Sequence, residues 1–155
     1  MCLTIRKGKG FTLIEAMIVL AVISILMSVA VSAYRSQTER TRRAEAKQFL
    51  LDMANKQESF YTQFLSYTTV VAGPGGCAGI ACGLGYSSNQ STSNLYTASI
   101  TTLPAGCAPG GATACTSYTL TATSNVVDLD CVTLTYTSAN VRGNTGTGTV
   151  DECWR

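Results

Sequence analysis

The feature that most constrains the fold of this chain is one apolar run near its start. Residues 11–34 read FTLIEAMIVLAVISILMSVAVSAY, and after Glu15 no charge appears until Arg35. Residues 16–34 are nineteen uncharged, mostly apolar positions in a row. As a helix rising about 1.5 Å per residue they cover roughly 30 Å, the thickness of bilayer hydrocarbon. A secretory signal has a shorter apolar core followed by a small-x-small cleavage site. Val31-Ser32-Ala33 imitates that site, but the run is too long for it and an acid stands five residues in. A carboxylate in hydrocarbon costs about 2.5–3.5 kcal/mol and is usually retained for a function, so Glu15 is a candidate functional residue. The bland alternative is a position at headgroup level.

No Pro precedes Pro74, and no Gly lies between Gly10 and Gly73, so nothing interrupts a helix through the span and beyond it. Past the span, Ala46, Leu50, Met53, Gln57, Phe60 and Phe64 recur every three or four residues, an amphipathic face that needs a partner layer. Glu39 with Arg43 and Arg42 with Glu45 have the spacing of exposed helix-face pairs. The basic run Arg40, Arg42, Arg43 and Lys47 has the chemistry to touch nucleic acid or lipid headgroups, but it reads first as a solvated helix face. After about Tyr67 the composition turns to Gly, Ser, Thr and Ala, and the GPGG stretch at 73–76 ends any helical reading. Tyr118, Leu120 and Ala122 alternate with threonines, as do Val132, Leu134 and Tyr136, while Tyr96, Ala98 and Ile100 give a weaker third strand. The expected fold is α+β: a long helix packed on one face of an antiparallel sheet.

At 155 residues there is room for one domain plus an appendage. The formal charge of +2 becomes −1 if the segment bearing Arg6, Lys7 and Lys9 is removed, so net charge does not argue for nucleic acid as a partner. No His is present to act as a base, and no phosphate loop or supported carboxylate pair appears, which disfavours an enzyme and suggests no cofactor. Asp128 and Asp130 are the only local acid pair beyond the helix. They read as a turn exposing two acids, because Ca²⁺ wants about six to eight oxygens and this region is acid-poor.

Cys2 stands apart, in a part of the chain where it has no evident role. Cys77, Cys82, Cys107, Cys115, Cys131 and Cys153 make an even six, with no His and no paired C-x-x-C set for a metal. Disulfides, and so an oxidising compartment, are expected. Six cysteines permit fifteen connectivities. The simplest local pairs are Cys77 with Cys82 and Cys107 with Cys115, and a Cys131–Cys153 bridge would tether a Gly-rich tail that is otherwise expected to be poorly ordered. Basic residues flank the span on both sides, so orientation follows from the cysteines, which place the C-terminal part outside the cytoplasm.

The stretch Lys9-Gly10-Phe11-Thr12-Leu13-Ile14-Glu15, after a short basic leader and before an apolar helix, resembles the class III signal of type IV prepilins. The resemblance implies that a prepilin peptidase cuts after Gly10 and methylates Phe11. It also implies that Glu15, the fifth mature residue, pairs with a neighbour's N-terminal ammonium in a filament core. Arg42-Arg43-Ala44-Glu45-Ala46, Phe60-Tyr61-Thr62, residues 118–123 and the ending Asp151-Glu152-Cys153-Trp154-Arg155 look like PilE-type minor pilins, in which the last two cysteines bridge. On that resemblance residues 1–10 are a leader, 11–34 a membrane and filament-core helix, 35–66 an amphipathic helix and 67–155 the β-rich part of a pilin fold. The implied partners are major and minor pilins, the peptidase and an inner-membrane assembly platform. The implied location is the inner membrane with a periplasmic C-terminal part, then an extracellular pilus used in twitching motility and adhesion. Many relatives have Gly and Pro where this chain has Ser24 and Ser32, which removes the usual cause of a kinked helix. The alternatives are a pseudopilin of a secretion or DNA-uptake machine, and a tethered binding domain that never polymerises.

Overall fold

One helix, α1, runs over Leu13–Phe64, 52 residues, in a computed structural model that describes residues 11–75 and 78–155. Its start is fixed locally. The Thr12 hydroxyl accepts from the Glu15 amide at 3.3 Å and the Thr12 carbonyl from the Ala16 amide at 3.2 Å, which satisfies donors that a first helical turn leaves orphaned. No Pro or Gly interrupts it. Ser24 and Ser28 donate back to the carbonyls of Ala21 (2.8 Å) and Ile25 (2.7 Å), so these hydroxyls are satisfied within the helix and no backbone donor is lost. At the far end Leu65 turns left-handed, with φ 53° and its amide on the Tyr61 carbonyl at 2.8 Å, and the helix stops.

The chain divides into two units, 1–38 and 39–155. In the first, every large apolar residue between Phe11 and Val31 is exposed. By length and composition α1 is long and apolar enough to cross a membrane.

In the second unit four strands follow: β1 (Tyr96–Leu103), β2 (Ser117–Ser124), β3 (Thr133–Thr137) and β4 (Arg142–Thr145). They form an antiparallel meander in chain order. Register puts Ala98 opposite Ala122 and Ala122 opposite Leu134, so one apolar face is continuous across β1, β2 and β3. That face shares a core with α1: Ala46, Leu50, Met53 and Phe60 are buried with Tyr96, Leu120, Ala122 and Leu134. The opposite face is hydroxylated, with Thr97, Thr123, Thr133 and Thr145 in a row across all four strands.

Two polar fixtures, one in the core and one at its edge, decide how the chain leaves α1. Gln57 is fully buried and pairs its amide with the Thr68 backbone, Nε2 to the carbonyl at 2.6 Å and Oε1 from the amide at 3.1 Å. Glu58 accepts from the hydroxyls of Tyr67 and Tyr118, each at 3.2 Å, which joins the helix to β2.

The last part of the chain departs from expectation. The tail expected to be loosely held forms β4 and a five-residue helix, α2 (Val150–Trp154), started by a capping box in which Thr149 and Glu152 satisfy each other's backbone amides. Gly146 makes the approach possible: at φ 128°, a Cβ there would lie 2.3 Å from the Asp130 carbonyl oxygen. The strand expected from Val132 begins one residue later, at Thr133, and Val132 is exposed. Nor are the helix-face pairs made, since no ion pair joins Glu39 to Arg43 or Arg42 to Glu45 among the described residues. Both partners are taken by tertiary contacts: Arg43 reaches Asp128, and Glu45 accepts from the Ser93 amide at 3.1 Å.

Candidate functional site

Of the residues expected to matter at the N-terminus, Gly10 and Cys2 lie outside the described residues, as does the whole 1–10 leader. Phe11 is 83% exposed just ahead of α1. Glu15 is exposed in the first turn of α1, three residues after the Thr12 cap. Thr12-Leu13-Ile14-Glu15 thus has the spacing of a capping box, and a carboxylate there also complements the positive end of the helix dipole. An acid at this position serves the helix start before any partner is considered.

In the 39–155 unit, disulfides join Cys107 to Cys115 (S–S 2.00 Å) and Cys131 to Cys153 (S–S 1.99 Å). Cys82 is also disulfide-bonded, while Cys77 lies outside the described residues. Cys115 is anchored again through its backbone, accepting from the Tyr67 amide at 3.1 Å and donating to the Ser66 hydroxyl at 2.8 Å. The Cys131–Cys153 bridge fixes α2 to the start of β3, with both cysteines fully buried.

The two acids expected to be exposed together are split. Asp128 is 9% exposed and takes a bidentate pair of bonds from Arg43, Nε and Nη2 each at 2.8 Å. It also accepts from the Cys131 amide at 3.0 Å. Asp130 is 60% exposed, 3.6 Å from Arg43 and bonded to the Thr147 hydroxyl at 2.8 Å. The pair is a latch between α1 and the strand entry, and among the described residues no three potential ligands gather for a metal.

Because Arg43 hydrogen-bonds its charged form, the Asp128 carboxyl is held below its ordinary value of 3.8 despite partial burial. A depressed folded value means the stabilisation is present above the unfolded pKa and drains away as pH falls through the folded one. Arg43→Ala is therefore expected to cost about 1.5–3 kcal/mol at pH 7. That cost should shrink as pH falls below the ordinary carboxylate value of 3.8 and through the lower folded one, a convergence that chemical denaturation of wild type and variant at pH 7 and at strongly acid pH would measure.

Next to this latch lies a cationic cluster of which sequence reasoning had singled out only Lys47, as part of the basic run on α1. Lys47 on α1 donates its ammonium to the main-chain oxygen of Arg155. Arg142 on β4 places its guanidinium 5.4 Å from the centre of the Trp154 ring, and Trp154 is itself held by Nε1 on the Gly143 carbonyl at 2.9 Å. Partial burial lowers the Lys47 pKa, and the charges of Arg142 and Arg43 push it further the same way. On α1 an open groove of about 680 Å³ is lined by Glu45, Asp52, Phe49, Tyr86 and serines of the 87–94 loop, with no basic residue. The signal that could have found the rest of the cluster was negative: no Lys or Arg occurs anywhere in residues 57–141.

Comparison with known proteins bears on both units. A protein-family model described as the prokaryotic N-terminal methylation motif matches residues 5–31. A second, described as the type IV minor pilin ComP, DNA uptake sequence receptor, matches residues 32–135. Similar proteins include the fimbrial protein EcpC of Eikenella corrodens, 38% identical over 47% of this chain and 45% of that one. The type IV major pilin PilE1 of Neisseria gonorrhoeae is 45% identical over 36% of this chain and 32% of its own. The type IV major pilin PilA of Myxococcus xanthus is 39% identical over 37% of this chain and 26% of its own. Each match thus spans less than half of the relative's length. The ComP match, by contrast, takes in α1 from residue 32 onward, β1, β2 and the first three residues of β3, two-thirds of the chain. The likeness therefore reaches well past the apolar helix, and the chain belongs to the type IV pilin family, in the line of the minor pilin ComP.

Proposed function

We propose that this chain is a minor subunit of a type IV pilus, cut after Gly10, methylated at Phe11, held in the inner membrane by residues 11–34 and then drawn into the filament. The observation that carries the reading is that the fourteen large apolar side chains from Phe11 to Val31 are all exposed, thirteen of them on one helix without Pro or Gly. Burying a side chain of this kind stabilises by about 1.5–3 kcal/mol, so fourteen of them call for lipid first and neighbouring helices later. Glu15 then pairs with the N-terminal ammonium of an adjacent subunit, a contact that is favourable only where both charges are matched. The Cys-linked unit faces the periplasm and afterwards the pilus surface, consistent with its disulfides.

Intact mass and N-terminal sequencing of the chain extracted from its native membrane tests this. The expected start is N-methylated Phe11, dependent on the prepilin peptidase. A start at Met1 or Tyr34 in peptidase-positive cells would leave a tethered or secreted domain instead.

The match to a DNA-uptake receptor family over residues 32–135 favours a second reading of the same subunit: it captures DNA at the pilus. Charge alone argues weakly for it, since residues 39–155 hold seven basic against eight acidic side chains. Such a unit can hold a polyanion only where its cations are locally gathered.

A further inference from the structure

Resting on the filament reading, we infer that the open groove on α1 is a subunit interface, which receives the basic stretch just past the membrane span of the next pilin's helix. Glu45, Gln48, Phe49 and Asp52 of α1 form one wall of the groove, and Tyr86 with the hydroxyl- and amide-bearing loop 87–94 forms the other. Its shape is fixed from within. Phe49 meets Tyr86 edge-on, with ring centres 5.6 Å apart, and the Tyr86 hydroxyl donates to Asp52.

The two acids are not equivalent. Asp52 already has a cation, Lys56 at 3.9 Å. Glu45 has none: among the described residues no Lys or Arg nitrogen comes within 4.0 Å of it. Its carboxylate is nevertheless held in place, accepting from the Ser93 amide at 3.1 Å. Burial pushes its pKa up, but the hydrogen bonds from Ser91 and Ser93 outweigh that and keep it below the ordinary 4.5, so the group is charged at neutral pH. The complement stands on the same helix. Arg35 and Arg40 are exposed, and among the described residues neither they nor Arg42 has a carboxylate within 4.0 Å. Arg42 has the spacing to reach Glu45 on its own helix and does not. An oriented carboxylate in a groove with no basic lining is matched to a guanidinium from another chain, whose planar donors also suit the Gln48 amide.

The step that the filament reading requires aligns the two. A neighbour whose Phe11 ammonium meets Glu15 is shifted by four residues, about 6 Å along the axis at 1.5 Å per residue. Between like helices the same step sets the neighbour's residue 40 level with residue 44 and its residue 42 level with residue 46, either side of Glu45. The contact is heterologous: each subunit offers its arginines to one neighbour and its groove to another, which repeats without closing, as a filament needs.

Photo-crosslinking in intact pili from the native host tests the occupant. Benzoylphenylalanine in place of Gln48, irradiated and mapped by mass spectrometry, is expected to join a pilin peptide that matches residues 35–43 in position. Glu45→Gln keeps an acceptor for the Ser93 amide and removes the charge alone. It should enter sheared pili about three- to five-fold less than wild type, the worth of one partly exposed ion pair, with leader removal and the unfolding transition unchanged. Arg40→Gln with Arg42→Gln should lose at least as much, through the contact with the other neighbour. A cross-link only to another part of a pilin or to a non-pilin partner, or wild-type incorporation of Glu45→Gln, would overturn the groove and leave the filament reading standing. If the wild-type chain is absent from pili, the filament reading fails and takes the groove with it.

Discussion

Replacing both Cys131 and Cys153 with alanine is expected to melt the tail before the rest of the domain. The bridge closes a sequence separation of 22 residues, and releasing it returns about 3 kcal/mol of chain entropy to the unfolded state. What remains to hold α2 is modest: a capping box, the Trp154–Gly143 bond and the backbone bonds of Thr147 to Leu129 and Gly148 to Asp130. A five-residue helix does not persist on that alone. Trp154 is the only tryptophan, so its fluorescence reports this end of the molecule by itself. In the variant its emission should shift red at a denaturant concentration below that of the far-ultraviolet transition, while in the wild type the two coincide. The melting temperature should fall by about 10–15 °C. Coincident transitions in the variant would mean that the tail is held by packing, with the bridge merely present.

What was legible in the sequence follows from which interactions are local. The 3.6-residue recurrence of Ala46, Leu50, Met53, Gln57 and Phe60 has one physical cause, burial of one stripe, and the structure buries that stripe. Period-two threonines reveal β2 and most of β3 for the same reason. β4 was missed because Arg-Gly-Asn-Thr has no apolar alternation: it is an edge strand, recruited by pairing with β3. α2 was missed because five residues are too few for a period, although Thr149 and Glu152 spell out its cap. Arg43 shows the limit of helix-face reasoning. Spacing offers it Glu39, but a largely buried bidentate carboxylate 85 positions away outbids an exposed pair that would gain only a few tenths of a kcal/mol. The cluster of Lys47, Arg142 and Arg155 was only partly legible: Lys47 stood in the basic run on α1, but its neighbours come from positions 142 and 155, brought to it by the register of β4 and the bridge behind α2.

The largest effect on assembly is expected at Glu15, and the choice of substitution separates two roles. Its place after Thr12 makes it a helix-start residue, with its amide on the Thr12 hydroxyl at 3.3 Å. A glutamine serves a capping box nearly as well as a glutamate but brings no charge. Glu15→Gln should therefore leave α1, membrane insertion and leader removal intact; insertion should even improve, since a carboxylate in hydrocarbon costs about 2.5–3.5 kcal/mol. Assembly should behave oppositely. If Glu15 neutralises a neighbour's ammonium in a water-poor core, the variant leaves that ammonium buried and unmatched, a loss of about 3–5 kcal/mol and so at least a hundred-fold less incorporation. Mass spectrometry of sheared pili from the native host, set against the membrane pool of the same cells, measures the ratio. Wild-type incorporation of Glu15→Gln would confine the residue to starting its own helix. Loss of both Glu15→Gln and Glu15→Ala from the pilus, with each still processed and in the membrane, would leave the charge itself as what the filament requires.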